Sequence, residues 1–289
     1  MTWDELRAAA IARLAALPDA ELSSRWLVEE CAGSRWWQAA ACPVTELARA
    51  RFDTLVERRA GGEPLQYVIG RWGFRTLDLL VDRRVLIPRP ETEQVAAVAL
   101  AELDRLAGDH GSRDELVAVD LGTGSGAIAL AIAAERTGVD VWATEISAPA
   151  LEVAAANQAV LGGRPATRVR LALGGWWSAL PDDLRGRVDL VVSNPPYIAS
   201  SEMPELDSQV TGWEPNLALE AGPTGLEAIE AILDGAPAWL RPGGVVVLEI
   251  APHQAASAMA MARKVGLTEA EVHPDLTGRD RTLVASGAP

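Results

Sequence analysis

The 289-residue chain is long enough for one large domain or two ordinary ones, and its 49% hydrophobic residues are ample for a core. Its net charge of −14 disfavours partners held by phosphate neutralisation, so we expect no direct nucleic-acid binding. It contains no apolar run of about eighteen residues and no basic-then-apolar N-terminal segment. We therefore expect neither a membrane-spanning helix nor a secretory signal. Two cysteines, Cys31 and Cys42, suit buried thiols in a reducing cytoplasm, and the three histidines lack metal-ligand spacing.

Residues 1–69 are predicted to form a small helical domain. Thr2 and Glu5 have the spacing of a capping box, and the apolar residues that follow recur at helical intervals. Pro43 is in a position to open a later helix, whose inner face is predicted to include Leu47. Three tryptophans are predicted to anchor the core of this domain: Trp26, Trp36 and Trp37.

Residues 70–90 change period and are predicted to form a β-hairpin linker. Asp82-Arg83 is its predicted turn. The alternation that indicates strands with one buried face is carried by Trp72, Phe74, Leu77, Leu79 and Val81.

Residues 91–289 alternate between helical and strand patterns, which indicates an α/β fold with a doubly wound sheet. Two late strands are predicted at residues 268–273 and 282–285, and Arg241-Pro242-Gly243-Gly244 is a predicted turn before a buried strand. The other strands are predicted to end near Asp120, Glu145, Leu173, Asn194 and Ile250.

The first of these strands runs into the turn Gly122-Thr123-Gly124-Ser125-Gly126, and an alanine-rich helix follows. Glycines have no Cβ and therefore let the backbone approach a ligand closely. About twenty residues later the next strand ends at Glu145, whose carboxylate can accept hydrogen bonds from both hydroxyls of a ribose. The pattern predicts a nucleoside-containing cofactor, and its Gly-x-Gly-x-x-Ala spacing also allows NAD.

A later strand ends in Asn194-Pro195-Pro196-Tyr197. The side-chain oxygen of Asn194 and the carbonyl oxygen of Pro195 are two acceptors on a stiff loop, because proline has a fixed φ and no N–H. A planar –NH2 group needs one acceptor for each hydrogen. Ligands of open α/β sheets bind beyond the carboxyl ends of the strands, so Asn194 is expected to face the glycine turn. Tyr197 is predicted either to pack over the target group or to anchor the loop.

The glycine turn, the acidic strand end and Asn-Pro-Pro-Tyr together resemble the class I S-adenosylmethionine-dependent methyltransferases that methylate an amino or amide nitrogen. Two further segments are similar to those of one family within this class, Val85-Leu86-Ile87-Pro88-Arg89-Pro90-Glu91-Thr92-Glu93 and Glu214-Pro215-Asn216-Leu217-Ala218-Leu219. This family comprises the glutamine N5-methyltransferases that modify the Gly-Gly-Gln loop of class I peptide-chain release factors.

The resemblance implies a seven-stranded Rossmann-like methyltransferase sheet, with residues 1–69 as a substrate-recognition domain. It implies S-adenosylmethionine as cofactor, S-adenosylhomocysteine as product and a class I release factor as partner. We also expect no metal, because metal-ligand spacing is missing, and a monomer. The implied catalytic residues are Asn194, Pro195, Pro196 and Tyr197. The implied cofactor-binding residues are Asp120, Gly122, Thr123, Gly124, Ser125, Gly126, Glu145, Ile146, Gly175, Trp176 and Asn194. The family usually has Asp before the adenine-side Trp, whereas here Gly175 precedes Trp176 and removes a side-chain acceptor for the adenine amino group.

Four other functions share part of this pattern. A glutamine methyltransferase acting on a ribosomal protein, or an N6-adenine nucleic-acid methyltransferase, would use the same Asn-Pro-Pro-Tyr chemistry. The acidic charge disfavours the nucleic acid, and the ribosomal-protein enzymes usually differ at Arg89-Pro90-Glu91-Thr92. For a non-enzymatic cofactor-binding scaffold, the only supporting feature is Gly175, which replaces the usual Asp of the site. An NAD-dependent oxidoreductase would leave the Asn-Pro-Pro-Tyr sequence at Asn194 without an explanation.

Overall fold

The computed structural model describes residues 1–110 and 115–287. The α-helices in these ranges are α1 (Trp3–Arg13), α2 (Ala20–Ala32), α3 (Trp36–Ala39), α4 (Glu46–Ala60), α5 (Leu65–Ile69), α6 (Pro90–His110), α7 (Ala127–Glu135), α8 (Ala148–Leu161), α9 (Gly163–Thr167), α10 (Ser208–Thr211), α11 (Glu227–Trp239) and α12 (Ala255–Lys264). The β-strands are β1 (Arg71–Phe74), β2 (Leu77–Leu80), β3 (Leu116–Leu121), β4 (Val139–Glu145), β5 (Val169–Leu173), β6 (Val188–Ser193), β7 (Ile198–Ala199), β8 (Glu220–Gly222), β9 (Leu240–Glu249), β10 (Glu269–Pro274) and β11 (Asp280–Ser286). Within residues 1–110 and 115–287, every helix is too short or too polar to be a candidate membrane span.

One sheet has seven strands in the order β10-β11-β9-β6-β3-β4-β5. The strands from β9 to β5 are parallel, whereas β11 is antiparallel to both β9 and β10. From β3 the chain adds β4 and β5 on one side and β6 and β9 on the other, so the strand order reverses between β3 and β6. Ligand crevices form beyond the carboxyl ends of the strands at such a reversal. The predicted seven-stranded, doubly wound sheet is confirmed.

Helices cover both faces of this sheet because its central strands are apolar on both sides. One face packs against α6 and α7, with Val95 and Leu130 among the buried residues. The other face packs against α11 and α12 around Ile229 and Leu233. The strand ends are therefore the part of the sheet that remains open to a ligand.

Helices α1 to α5 pack around an apolar cluster of their own, in which the rings of Trp3 and Phe52 meet edge to face with their centroids 5.9 Å apart. The predicted capping box is confirmed. Thr2 Oγ1 accepts from the Glu5 amide at 3.4 Å, and the Glu5 carboxylate accepts from the Thr2 amide at 2.8 Å. The small N-terminal helical region expected from the sequence is present.

Some details of this region differ from the prediction. Helix α4 begins after a Thr45 cap rather than at Pro43, because the Thr45 hydroxyl satisfies one of the free amides of the first turn. Leu47 is 83% exposed and Trp37 is 59% exposed, so neither belongs to the core. Cys42 is exposed as well, and it is a free thiol.

The predicted hairpin exists as β1 and β2, but its turn is Arg75-Thr76 rather than Asp82-Arg83. Arg75 has a φ of +52°, which lets the chain reverse without a glycine. The Arg75 guanidinium is bound by Glu135 of α7 at 2.6 Å, so the turn is docked on the main domain. Asp82-Arg83 lies instead in the segment that leads to α6.

The predicted turn at Arg241-Pro242-Gly243-Gly244 is part of β9. Val188 of β6 pairs with Leu240, and the next paired residue of β9 is Val245, so the intervening residues form a bulge. The Arg241 guanidinium donates to the carboxylate of Asp189, the β6 residue opposite the bulge. This ion pair explains how a Pro-Gly-Gly sequence is kept within a strand.

Candidate active site

A cavity of about 410 Å³ opens at the carboxyl ends of β3 and β6, where the strand order reverses. The predicted site residues that line it are Asp120, Gly122, Thr123, Gly124, Ser125, Glu145, Ile146, Gly175, Trp176, Asn194 and Pro196. Three predicted site residues are not part of its lining: Gly126, Pro195 and Tyr197. Residues predicted from separate motifs therefore share one cavity.

Two positions of the glycine turn combine a positive φ with close neighbours. Gly122 has a φ of +74°, and a Cβ there would be 3.2 Å from the Trp176 ring. Gly126 has a φ of +84° at the start of α7, where a Cβ would be 3.0 Å from Leu130. Both positions favour glycine for their backbone conformation and for the limited space beside them.

The Glu145 carboxylate is fixed in the cavity wall by two backbone amides. One oxygen accepts from the Gly124 N–H at 2.9 Å, and the other accepts from the Ser147 N–H at 2.9 Å. An ionised carboxylate has about four acceptor positions, so acceptor capacity remains on the cavity side. This arrangement suits a pair of hydroxyl donors such as a ribose diol.

Asp120 lies beneath the glycine turn and is 1% exposed. Its Oδ2 accepts from the Thr123 hydroxyl at 2.6 Å and from the Ala129 amide at 3.1 Å, whereas Oδ1 is buried with no partner among the described residues. Burial raises the pKa of Asp120 to about 7, because it outweighs the two hydrogen bonds that favour the ionised form. A buried acceptor without a partner, in a residue that lines a cavity, suits a donor or a cation on a ligand.

The turn after β5 gives the cavity an aromatic surface. Trp176 has a φ of +45°, which is unusual for a bulky residue, and its ring is close to Gly122. Gly175 has an extended backbone, and a Cβ there would contact only Ile146, at 3.5 Å. Position 175 has room for a side chain, although the residue present supplies no acceptor.

Asn194 supplies the polar group of the opposite wall. Its Nδ2 donates to Thr92 Oγ1 at 3.1 Å, and within residues 1–110 and 115–287 no donor reaches its Oδ1 or the carbonyl oxygen of Pro195. The preceding residue, Ser193, donates its hydroxyl to the Leu121 carbonyl at 2.5 Å and joins the ends of β6 and β3. Asn194 is thereby held beside the glycine turn with a free acceptor oxygen.

Tyr197 supports this loop from behind. Its hydroxyl donates to Glu249 Oε1 at 3.4 Å, and its carbonyl oxygen accepts from Gln254 Nε2 at 2.9 Å. Burial raises the pKa of Tyr197, and the nearby Glu249 raises it further, so the hydroxyl stays a donor. In this structure the side chain therefore has the contacts of a loop anchor.

The rim of the cavity joins the two other segments that carry the family resemblance. The Glu214 carboxylate accepts from the Ile87 amide at 3.1 Å and from the Arg89 guanidinium at 2.5 Å. Pro88 and Pro215, the neighbours of this pair in the two segments, line the cavity. The pair fixes the segment before α6 against the loop that follows Asn194.

Two polar residues near Asn194 are absent from the sequence-based site, Thr92 and Glu249. Thr92 lines the cavity and donates its hydroxyl to Glu249 Oε2 at 2.7 Å. A carboxylate inside the apolar run Val245-Val246-Val247-Leu248-Glu249-Ile250 is the signal that could have identified Glu249, because buried carboxylates require partners.

Comparison with known proteins shows what the chain is similar to. Residues 5–70 match the PrmC N-terminal domain, and residues 103–208 match the methyltransferase small domain. The chain is 43% identical over 246 residues to a release factor glutamine methyltransferase of Cereibacter sphaeroides, covering 84% of this chain and 81% of that protein. A protein of the same name from Caulobacter vibrioides is 36% identical over 278 residues, covering 95% and 92%.

Among solved structures, the hMettl16 catalytic domain in complex with the MAT2A 3'UTR hairpin 6 aligns with a TM-score of 0.56 and 16% identity. The alignment covers 85% of this chain and 83% of that one. At this identity the likeness shows a shared fold alone.

Proposed function

The chain belongs to the family of release factor glutamine methyltransferases, and from that premise we propose that it methylates the glutamine of the Gly-Gly-Gln loop in class I peptide-chain release factors. The methyl donor is S-adenosylmethionine, and the acceptor is the side-chain amide nitrogen, N5. One observation supports this reaction above all: the glycine turn and the Asn194 side chain line a single cavity. A cofactor on the turn would therefore lie next to an acceptor that suits an –NH2 group.

The residues of the turn fit this cofactor. Glu145 would accept from the ribose hydroxyls, and the unpartnered Oδ1 of Asp120 would accept from the ammonium end. Trp176 offers an aromatic surface for the adenine, with backbone groups replacing the acceptor that Gly175 lacks. The remaining proposed cofactor-binding residues are Gly122, Thr123, Gly124, Ser125, Gly126, Ile146 and Asn194.

The Asn-Pro-Pro-Tyr loop orients the nucleophile. When bound, S-adenosylmethionine supplies an electrophilic methyl group on its sulfonium sulfur. A carboxamide nitrogen is a weak nucleophile because its lone pair is delocalised into the carbonyl group. Asn194 Oδ1 and the Pro195 carbonyl would accept from its two hydrogens, align the nitrogen, and stabilise the positive charge that develops there. Alignment of this kind contributes about 7–11 kcal/mol.

Pro196 and Tyr197 keep those acceptors in position. Pro196 restricts the loop conformation, and Tyr197 is attached to Glu249 and Gln254. The reaction needs no strong base before methyl transfer, since the nitrogen loses its extra proton readily to water once the new N–C bond has formed.

The test is incubation with labelled S-adenosylmethionine and one of three acceptors: a class I release factor, ribosomal proteins or duplex DNA. We expect label in the release factor, and mass spectrometry should assign it to N5 of the Gly-Gly-Gln peptide. A release factor with Gln replaced by Glu in that loop is the matched control and should stay unlabelled. Label in DNA or ribosomal proteins, with none in the release factor, would contradict the proposed substrate.

The proposal also covers the domain organisation, location and partners of the chain. The division into residues 1–69 for substrate recognition, 70–90 as linker and 91–289 for methyl transfer remains a prediction, as do a cytoplasmic location, a monomer and the lack of nucleic-acid binding. In the described part of the chain no three His, Cys, Asp or Glu side chains are grouped to hold a metal ion. The absence of a metal from the reaction is also still a prediction.

A further inference from the structure

Three linked side-chain hydrogen bonds lie behind the proposed nucleophile-binding group. The Thr92 hydroxyl donates to Glu249 Oε2 at 2.7 Å and accepts from Asn194 Nδ2 at 3.1 Å. The Tyr197 hydroxyl donates to the other carboxylate oxygen at 3.4 Å. Thr92 is 4% exposed and Glu249 is 1% exposed, so water competes little for these two groups.

The direction of the chain follows from the chemistry of an ionised Glu249. A carboxylate only accepts, so the Thr92 hydroxyl must donate its single hydrogen to it and keeps only lone pairs for Asn194. Those lone pairs bind the NH2 half of the Asn194 amide. The opposite amide orientation would set two acceptors against each other and leave one of them unsatisfied.

We propose that Thr92 and Glu249 are positioning residues, which hold the Asn194 amide with its oxygen toward the cavity so that it accepts from the –NH2 group of the substrate glutamine. This inference rests on the proposed function, because the orientation matters to the reaction only if the nucleophile is an –NH2 group. If the Asn194 amide were reversed, its own NH2 group would face the NH2 group of the substrate glutamine, and two donors cannot form a hydrogen bond with each other. The protonation state of a buried carboxylate thus determines which half of the amide meets the substrate.

Several groups that face Glu249 influence its protonation. Arg281, on the neighbouring strand, favours the ionised form, as do the hydroxyls of Thr92 and Tyr197, whereas Glu91 disfavours it. Burial is the largest influence and raises the pKa of Glu249 above that of an ordinary glutamate. A protonated Glu249 can donate to Thr92, which permits the reversed orientation of Asn194. Turnover should therefore decline on the acid side at a higher pH than an ordinary carboxyl group would cause.

The first test is the kinetics of Thr92→Val, which keeps the side-chain shape and removes the hydroxyl. We expect kcat for release-factor methylation to fall roughly ten- to a hundredfold, with KM for S-adenosylmethionine nearly unchanged. Thr92→Ser restores the hydroxyl and should recover most of the lost turnover. Thr144→Val is the matched control, because it removes a buried hydroxyl that has no partner among the described residues.

The second test is Glu249→Gln, which keeps the shape of the side chain but cannot ionise. The acid limb of the kcat profile that belongs to Glu249 should disappear, while any limb caused by Asp120 should persist in both proteins. Wild-type turnover in a folded Thr92→Val protein, or an unchanged acid limb in Glu249→Gln, would overturn the proposal.

A third measurement is independent of the substrate. The side-chain NH2 resonances of Asn194 should exchange slowly with solvent in the wild-type protein and in Thr92→Ser, and faster in Thr92→Val. Equal exchange in all three proteins would refute the positioning role even if the release factor proved not to be the substrate. Absence of methyl transfer by the wild-type protein to release factor would refute the proposed function instead.

Discussion

The two walls of the cavity are assembled in different ways. On the glycine-turn wall the bonds are local: Thr123 bonds Asp120 three residues away, and Gly124 bonds Glu145 across 21 residues. On the Asn194 wall the bonds join distant parts of the chain, since Thr92 lies 102 residues from Asn194 and 157 residues from Glu249. The hydrogen bonds cited for the glycine-turn wall are made within residues 120–145. Those of the Asn194 wall form only when distant segments of the chain have folded together. Changes on the two walls should therefore separate cofactor binding from turnover.

The largest expected effect is on the long-range wall, in Asn194→Ala. Loss of one preorganised hydrogen-bonding group in a transition state lowers turnover by roughly 10²–10³-fold. Affinity for S-adenosylmethionine, measured by calorimetry, should change far less than turnover, because most of the proposed cofactor-binding residues lie on the intact glycine turn and its neighbours. Near-normal turnover would contradict the role of Asn194, and a loss of cofactor affinity as large as the loss of turnover would show that the two walls are not separable.

Asn194→Asp makes the same comparison more specific. It keeps an acceptor oxygen, but Thr92 then has one hydrogen to share between two carboxylates, those of residue 194 and Glu249. We expect turnover well below wild type at neutral pH, with partial recovery at a lower pH where one carboxylate takes up a proton. A pH profile parallel to that of the wild-type protein would contradict this account.

On the local wall, Glu145→Ala should weaken cofactor binding with little effect on turnover at saturating cofactor. The loss of hydrogen bonds to a charged acceptor costs about 1.5–3 kcal/mol, or roughly ten- to a hundredfold in Kd. Glu145→Gln, which keeps the size and one acceptor oxygen, is the control and should lose less. Unchanged affinity in a folded Glu145→Ala protein would exclude Glu145 from the cofactor site.

A different kind of effect is expected from Asp120→Asn, because it concerns stability rather than ligand affinity. The pKa of Asp120 is about 7 in the folded protein, whereas an ordinary aspartate in an unfolded chain has a pKa near 3.8, so between those pH values the folded state binds the proton more tightly. Wild-type stability must therefore fall as pH rises from about 4 to 7, and Asn should remove this decline. Without cofactor, we expect the variant to gain roughly 3–4 kcal/mol at pH 7 and nearly nothing at pH 4. Urea unfolding at both pH values measures it, and an equal gain at both would contradict the assignment.

The smallest expected effect is that of Gly175→Asp. The backbone at this position is extended and a Cβ would touch only Ile146, so the substitution should be tolerated. A carboxylate there should tighten cofactor binding by less than about tenfold, as expected for one additional hydrogen bond. Calorimetry decides the question, with Gly175→Ala as the control for the side chain alone. A large loss of affinity in a folded protein would mean that the adenine does not lie beside position 175.

The contrast between the walls also explains what the sequence can predict. The seven strands and the glycine turn are recognisable because apolar runs, glycine spacing and a terminal Glu145 lie in continuous segments. The hairpin turn at Arg75-Thr76 contains no glycine, asparagine or proline, and its conformation is accompanied by contacts to Glu135, 60 residues later. Thr92 and Glu249 acquire their proposed roles from each other and from Asn194, so a carboxylate within an apolar strand can mark Glu249 as unusual but cannot show which residues it binds.

The ion pair between Arg89 and Glu214 has a consequence for modularity. Glu214 is 5% exposed, and both of its partners, Ile87 and Arg89, come from the segment that precedes α6. A chain cut at residue 90 would leave a buried carboxylate without its counter-ion, which typically costs about 3–5 kcal/mol. The domain that contains the sheet therefore depends on the segment before α6 for part of its stability. In a chimera that exchanges the helical region between relatives, the crossover should precede residue 85. Ile87 and Arg89 then stay in the same parental sequence as the Glu214 carboxylate that they bind.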